Sequence, residues 1–255
     1  MAKTNSQIDL TIQARMASSR LPKKVLMEAA GKPLLEHMVE RLKTVPSVNN
    51  IIIATTTNKD DNPVEDLANK LSIGCYRGSE ANVLSRVLNA TQKFGTDIIV
   101  QTTGDCPLID PDIVEYVIQT YLSNQSDYTS NILERTFPIG MDVQVFSRSV
   151  LEDVARRTRN PEDLEHVSYY IYKNPDLYKL FNITAPSAQH DPELRLTLDT
   201  TEDFELIHSI FEALYPHNKA FRLDDILTFL NANSELREIN RHVSHKWLKK
   251  ENFFQ

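Results

Sequence analysis

A mostly parallel α/β sheet flanked by helices is the fold class predicted, and three observations predict it. Apolar, β-branched runs alternate with amphipathic segments. The connections between them are short, which implies crossovers of the right-handed kind. The chain has 255 residues, 41% hydrophobic and 25% charged, enough to bury one sizeable core.

The elements follow in order. "IDLTIQA", beginning at Ile8, reads as the first strand. Pro33 to Val45 reads as a helix: Pro33 suits a first turn, and Leu34, Met38, Leu42 and Val45 recur at helical spacing. "IIIATT" (Ile51 to Thr56) is a second buried strand. Asp61 to Leu71 and Glu80 to Phe94 are helices, "DIIVQTT" (Asp97 to Thr103) is a third strand, and Pro111 to Tyr121 is a further helix. In the second half, "MDVQVF" (Met141 to Phe146) alternates like a half-exposed strand and "LRLTL" (Leu194 to Leu198) reads as another. "DLEHVSYYI" puts Glu165 and His166 on a helix beside an apolar face of Val167, Tyr170 and Ile171, and helices follow at Thr201 to Leu214 and Leu223 to Leu230. Residues 5–240 read as one domain with a small additional β portion, and 241–255 as a polar tail.

The formal net charge of −7 argues against general binding to nucleic acid or anionic membranes. No apolar run approaches the ~20 residues of a membrane span, and "MAKTNSQ" has no signal-peptide apolar segment. Cys75 and Cys106 form no redox or metal pair by spacing, so a reducing cytoplasm is the simplest setting. Any anion site must be local.

One local site stands out. Arg15, Arg20, Lys23 and Lys24, with Ser18 and Ser19, directly follow the first strand. In parallel sheets ligands bind beyond the carboxyl ends of strands. Hydroxyls, amides and guanidinium forks there suit a polyphosphate; the alternative is a solvated basic loop. No P-loop ending and no G-x-G fingerprint is present. Asp105 in "TTGDCP" and Asp199 in "RLTLDTTED" follow later strands and would reach the same edge. Two carboxylates with phosphate and water oxygens suit Mg²⁺. Alternatively, Asp105 closes a turn before Pro107, and Asp199 with Thr200 starts a helix through a capping-box pattern.

The pattern R-x-x-S-x-R-L-P-x-K, at Arg15, Ser18, Arg20, Leu21, Pro22 and Lys24, resembles the signature loop of the cytidylyltransferase family. The longer stretch "QARMASSRLPKKVL…GKPLLEHMVERL" is similar to the spore-coat polysaccharide protein F-like branch. The likeness continues through "RGSEANVLSR", "TGDCPLIDP", "PIGMDVQVF", "EHVSYYI" and "RLTLDTTED". It implies a Rossmann-like, GT-A-like nucleotidyltransferase sheet. It also implies a CTP site of Ala14, Arg15, Ser18, Arg20, Lys24, Gly78, Ser79 and Thr103, with Arg15, Arg20 and Lys24 acting on the triphosphate. Mg²⁺ would sit on Asp105 and Asp199, and an acceptor sugar or sugar acid near Asp142, Glu165 and His166. A homodimer is implied too, with the "MDVQVF" region as a candidate contact. Relatives usually carry glycine where Ala17 and Lys23 stand, and a base-contacting glutamine where Thr103 stands.

The expected activity is CMP transfer from CTP with release of pyrophosphate, in surface polysaccharide or glycan synthesis. Two rivals remain at this point. A glycosyltransferase would use a D-x-D motif, for which Asp110-Pro111-Asp112 has the spacing. A non-catalytic nucleotide-binding homologue is the other. His242 and His245 have metal-like spacing but no third ligand nearby, and Cys106 reads as a small buried residue rather than a nucleophile.

Overall fold

The structure is a computed structural model and describes residues 6–244. The chain runs through β1 (Ile8–Gln13), a hairpin of β2 (Glu28–Ala29) and β3 (Lys32–Pro33), α1 (Leu34–Leu42), β4 (Asn50–Thr56), α2 (Asn62–Lys70) and β5 (Gly74–Gly78). It continues with α3 (Val83–Phe94), β6 (Ile98–Thr103), α4 (Pro111–Ser123), β7 (Tyr128–Ser130), β8 (Gln144–Ser147) and α5 (Arg148–Arg157). Then come α6 (Pro161–Glu165), α7 (Tyr169–Lys173), β9 (Leu180–Asn182), α8 (Thr201–Leu214), α9 (Leu223–Ala232) and α10 (Ser234–Glu238).

The main sheet has the order β5-β4-β1-β6-β8-β7-β9. β5, β4, β1 and β6 are mutually parallel. β8 runs antiparallel to β6 and β7, and β9 is parallel to β7. The additional β portion therefore extends the same sheet. The two-residue period of a strand divides its core. Ile51 and Ile53 face a cluster built with α1, α4, α8 and α9, whereas Ile52 and Ala54 face one built with α3 and α5. Apolar residues on both faces explain why these strands read as unbroken apolar runs.

Several expectations need correction. "LRLTL" is not a strand but an extended segment held by one bridge, Ile139 to Arg195. "MDVQVF" is strand only from Gln144, and it lies inside the sheet between β6 and β7 with Met141, Val143, Val145 and Phe146 buried. Glu165 and His166 do not share one continuous helix with Val167 and Ile171. α6 ends at Glu165, Val167 takes φ +30° while fully buried, and α7 starts afresh. The helix predicted from Glu80 starts only at Val83, where Asn82 caps it by accepting from Ser85 N at 2.8 Å. Pro33 caps α1 in extended backbone rather than filling its first turn. His245 and the rest of the tail from 245 on lie outside the described residues.

Candidate nucleotide site

Winding reverses between β1 and β6: β4 and β5 lie on one side of β1, β6 on the other. Such a switch point opens a crevice beyond the carboxyl ends of the strands. The loops that leave β1 and β6 border it. They leave side by side, with Gly104 N donating to Gln13 O at 2.8 Å. A Cβ on Gly104 would stand 2.9 Å from that of buried Ala14, so this approach requires glycine.

The basic loop is tied at both ends. Met16 N donates to the buried Asp61 carboxylate at 2.6 Å, and Lys23 N to Met16 O at 2.9 Å. Leu21 N donates to Ser18 Oγ at 3.4 Å. Lys23 adopts φ +62°, ψ 14°, the left-handed conformation that glycine favours. Ala17 is not among the residues with positive φ.

This folding aims Lys24 at two carboxylates far away in sequence. Its Nζ donates to Asp105 Oδ2 at 3.0 Å, Asp199 Oδ1 at 2.9 Å and Leu198 O at 2.7 Å. Arg20 Nη2 reaches Asp199 Oδ1 at 2.9 Å. Burial opposes the Lys24 charge, yet Asp105 and Asp199 prevail and raise its pKa. Burial likewise opposes ionisation of Asp199, but Lys24, Arg20 and Arg195 bring it down to about 2. Asp199 does sit at the start of α8. The capping, however, is done by its neighbours: Thr200 and Asp203 form the capping box, so the Asp199 side chain is left to face the loop.

Of the other expected residues, Gly78 ends β5 and Thr103 ends β6 on the same edge. Arg15 is exposed and pairs with Glu80 at 2.9 Å, toward Gly78 and Ser79 beyond β5. Under that turn lies Arg86, 3% exposed, which donates to the carbonyls of Ser79 and Glu80. Burial, with Arg15 next, lowers its pKa to about 10. Ser79 Oγ accepts from Asn82 N at 3.0 Å. Thr103 ends β6, and its hydroxyl donates to Asp105. The β6–β8 register pairs Gln101 with Gln144, and continuing it places Asp142 level with Thr103. Asp142 accepts a bidentate pair from Arg135 at 2.7 and 3.0 Å. Glu165 is exposed at the end of α6 and His166 follows it, 3.9 Å from the Glu165 carboxylate. Ser168, two residues on, donates to Gln144.

Sequence reasoning missed Arg86, Arg135 and Arg195. Arg195, 3% exposed, donates to Asp199 Oδ2 at 2.8 Å and to both oxygens of Asp203. Its four-residue spacing to Asp199 and the buried Asp203 beyond were the signal available. Gly140, at φ +105°, passes so close that its Cβ would lie 2.7 Å from the Leu196 carbonyl, which locks the "PIGMD" segment onto the one carrying Asp199.

The D-x-D reading fails. Asp110 is 2% exposed, caps α4 and accepts from Leu223 N at 2.6 Å, while Asp112 pairs with Arg222. Cys106 is buried and its thiol is pushed well above its ordinary range by that burial, which removes it as a nucleophile. Among the described residues no group of three or more metal-ligating side chains forms. Asp105 and Asp199, both on one ammonium, supply two carboxylates and no soft donors. That set fits Mg²⁺, which takes one or two carboxylates and completes its shell with phosphate and water.

Residues 10–228 match the model of a family described as Cytidylyltransferase. The chain is 33% identical to a cytidylyltransferase from Leptospira borgpetersenii of known structure, with a TM-score of 0.87 over 94% of this chain and 100% of that one. It is 32% identical to the spore coat polysaccharide biosynthesis protein SpsF of Bacillus subtilis, over 88% of this chain and 94% of that protein. It is 35% identical to a 3-deoxy-manno-octulosonate cytidylyltransferase of Anaeromyxobacter, over 81% and 98%. A CMP:2-keto-3-deoxy-manno-octonic acid synthetase in complex with CTP shares the fold at 19% identity, with a TM-score of 0.60 over 81% of this chain and 98% of that one. A family match spanning most of the sheet, its switch-point crevice and both aspartates makes this chain a member of the cytidylyltransferase family.

Proposed function

We propose that this chain transfers CMP from CTP to a hydroxyl of a sugar or sugar acid, releasing pyrophosphate, in the synthesis of a surface polysaccharide or another glycan. The observation that carries this reading is the convergence of Lys24 with Asp105 and Asp199 at the switch point. Arg15, Arg20 and Lys24 hold the triphosphate and stabilise the charge that develops on the leaving pyrophosphate. Ala14 and Ser18 shape the loop. The nucleoside lies toward Gly78, Ser79 and Thr103. Asp105 and Asp199 would hold Mg²⁺, which would supply charge neutralisation at the reacting phosphate.

The acceptor hydroxyl attacks the α-phosphorus in line, and its oxygen–phosphorus bond replaces the one to pyrophosphate. Positioning and charge neutralisation supply the rate, so no nucleophilic side chain is needed. Asp142, oriented by Arg135, reads the acceptor together with Glu165 and His166. Two further parts of the reading are a homodimer and a cytoplasmic setting. The free thiols of Cys75 and Cys106 support the latter. No helix among the described residues is long and apolar enough to cross a membrane.

A pyrophosphate-release screen of the four nucleoside triphosphates against a panel of sugar acids, with Mg²⁺, tests the proposal. CTP-dependent release that is lost in a folded Asp105→Asn variant supports it. Free nucleoside diphosphate from a nucleotide-sugar indicates glycosyl transfer instead. CTP binding without turnover across the panel indicates a binding protein.

A further inference from the structure

We infer that Thr103 and Arg195 set the metal preference of this site by withholding one oxygen of each metal-facing carboxylate. The inference rests on the nucleotide reading above and goes beyond it. On Asp105, Oδ1 accepts from the Thr103 hydroxyl while Oδ2 is presented to Lys24 at 3.0 Å. On Asp199, Oδ2 accepts from Arg195 Nη2 at 2.8 Å while Oδ1 is presented to Lys24 and Arg20, each at 2.9 Å. Each carboxylate thus has an inner oxygen committed to a fixed donor and an outer oxygen facing the basic loop.

Both donors are held rigidly. Thr103 is paired with Gln13 in the β1–β6 ladder. Arg195 Nε donates to Asp203 Oδ1 at 2.8 Å. Asp203 is fully buried and also accepts from the amides of Asp199 and Thr200 and from Asn240 Nδ2. Turning Asp199 to chelate with both oxygens breaks a bond inside this network.

The ions differ in what they ask of carboxylates. Ca²⁺ takes six to eight oxygens and readily accepts bidentate carboxylates, whereas Mg²⁺ is octahedral and needs only one or two, beside phosphate and water. Two carboxylates restricted to one oxygen each favour the smaller ion. Thr103 and Arg195 are therefore positioning residues: they act through Asp105 and Asp199 and do not themselves meet the metal.

Equilibrium dialysis of the whole protein with Mn²⁺ and CTP, without acceptor, provides the test, with Ca²⁺ as competitor. Wild-type protein is expected to retain Mn²⁺ in a CTP-dependent way and to release half of it only at a large excess of Ca²⁺. Thr103→Val keeps the shape and removes the hydroxyl, and the Ca²⁺ needed should fall about tenfold, the scale on which groups that orient a metal ligand act. Arg195→Lys keeps a charge beside Asp203 but cannot fork to two carboxylates, and should move the same way. A merely structural role would lower the melting temperature and the retention of both ions in parallel. An unchanged Ca²⁺ requirement in folded Thr103→Val overturns the inference while leaving the nucleotide reading standing. Wild-type protein that retains no Mn²⁺ with CTP overturns both.

Discussion

Lys24 and Asp199 lie 175 positions apart in sequence, and their side chains meet at 2.9 Å. The same ammonium holds Asp105 and the carbonyl of Leu198, so one side chain ties the first loop of the sheet to its middle and late segments. Replacing Lys24 with Met removes a cation from where pyrophosphate charge develops. Turnover should fall on the order of 10²–10³-fold at saturating CTP. Arg20, Arg195 and Thr103 still partner the two aspartates, so far-ultraviolet circular dichroism should stay native. Pyrophosphate release per folded protein is the measurement.

Asp199 also sets a pH dependence. Its pKa is about 2 in the folded protein, below the ordinary aspartate value of 3.8. A folded pKa below the unfolded one stabilises the fold once the group ionises. The contribution, about 2 kcal/mol, is complete above roughly pH 4 and is lost as pH falls toward 2. Urea unfolding of wild type and Asp199→Asn should show a stability gap at pH 7 that narrows by about that amount in acid.

What was legible in the sequence, and what was not, follows physical lines. Arg20, Lys24 and Asp105 follow β1 and β6, and a parallel sheet sends such positions to one edge; Asp199 follows no strand and reaches that edge because Leu198 N donates to Asp105 O. Arg195 was hidden because "LRLTL" alternates as a strand does, while its one bridge is to Ile139, distant in sequence. Alternation specifies an extended chain with one buried side, not a ladder of partners. Val167 continues a helical spacing, yet it takes φ +30° while fully buried, and the helix breaks there. The pairing of Arg135 with Asp142 spans a turn whose path no periodicity encodes.

Lys23 bears a conformational cost at φ +62° that glycine would not. Its side chain is exposed, and the contacts of this residue described above run through its backbone. Lys23→Gly should stabilise the protein by about 1 kcal/mol, which for a chain of this size raises Tm by about 2–4 °C. Differential scanning calorimetry checks the shift. A fall in Tm would mean that the loop draws on the lysine side chain.

Arg135 orients Asp142 through a bidentate pair of bonds. Glutamine in its place keeps a donor but loses the fork and the charge. Arg135→Gln should raise the acceptor KM about tenfold or more while the KM for CTP stays near wild type. Loss confined to one substrate is what separates acceptor reading from a general loosening of the sheet edge.

Gly140 is the tightest backbone crossing near the site. An alanine Cβ there would sit 2.7 Å from both C and O of Leu196 and 2.9 Å from Thr197 N, all backbone atoms, at φ +105°. None of these is the end of a flexible side chain, so the segment leading to Asp199 must itself move. Gly140→Ala should destabilise the fold by about 2–4 kcal/mol and also reduce turnover per folded molecule, because Leu198 and Asp199 shift away from Lys24. Gly104→Ala is the useful comparison. Its nearest neighbour is the Ala14 side chain at 2.9 Å, followed by Gln13 O at 3.2 Å, with no positive φ to strain. It should destabilise less than Gly140→Ala when both are unfolded in urea. The reverse order would show that the loop after β1, and not the Leu196 crossing, fixes the geometry of the two aspartates.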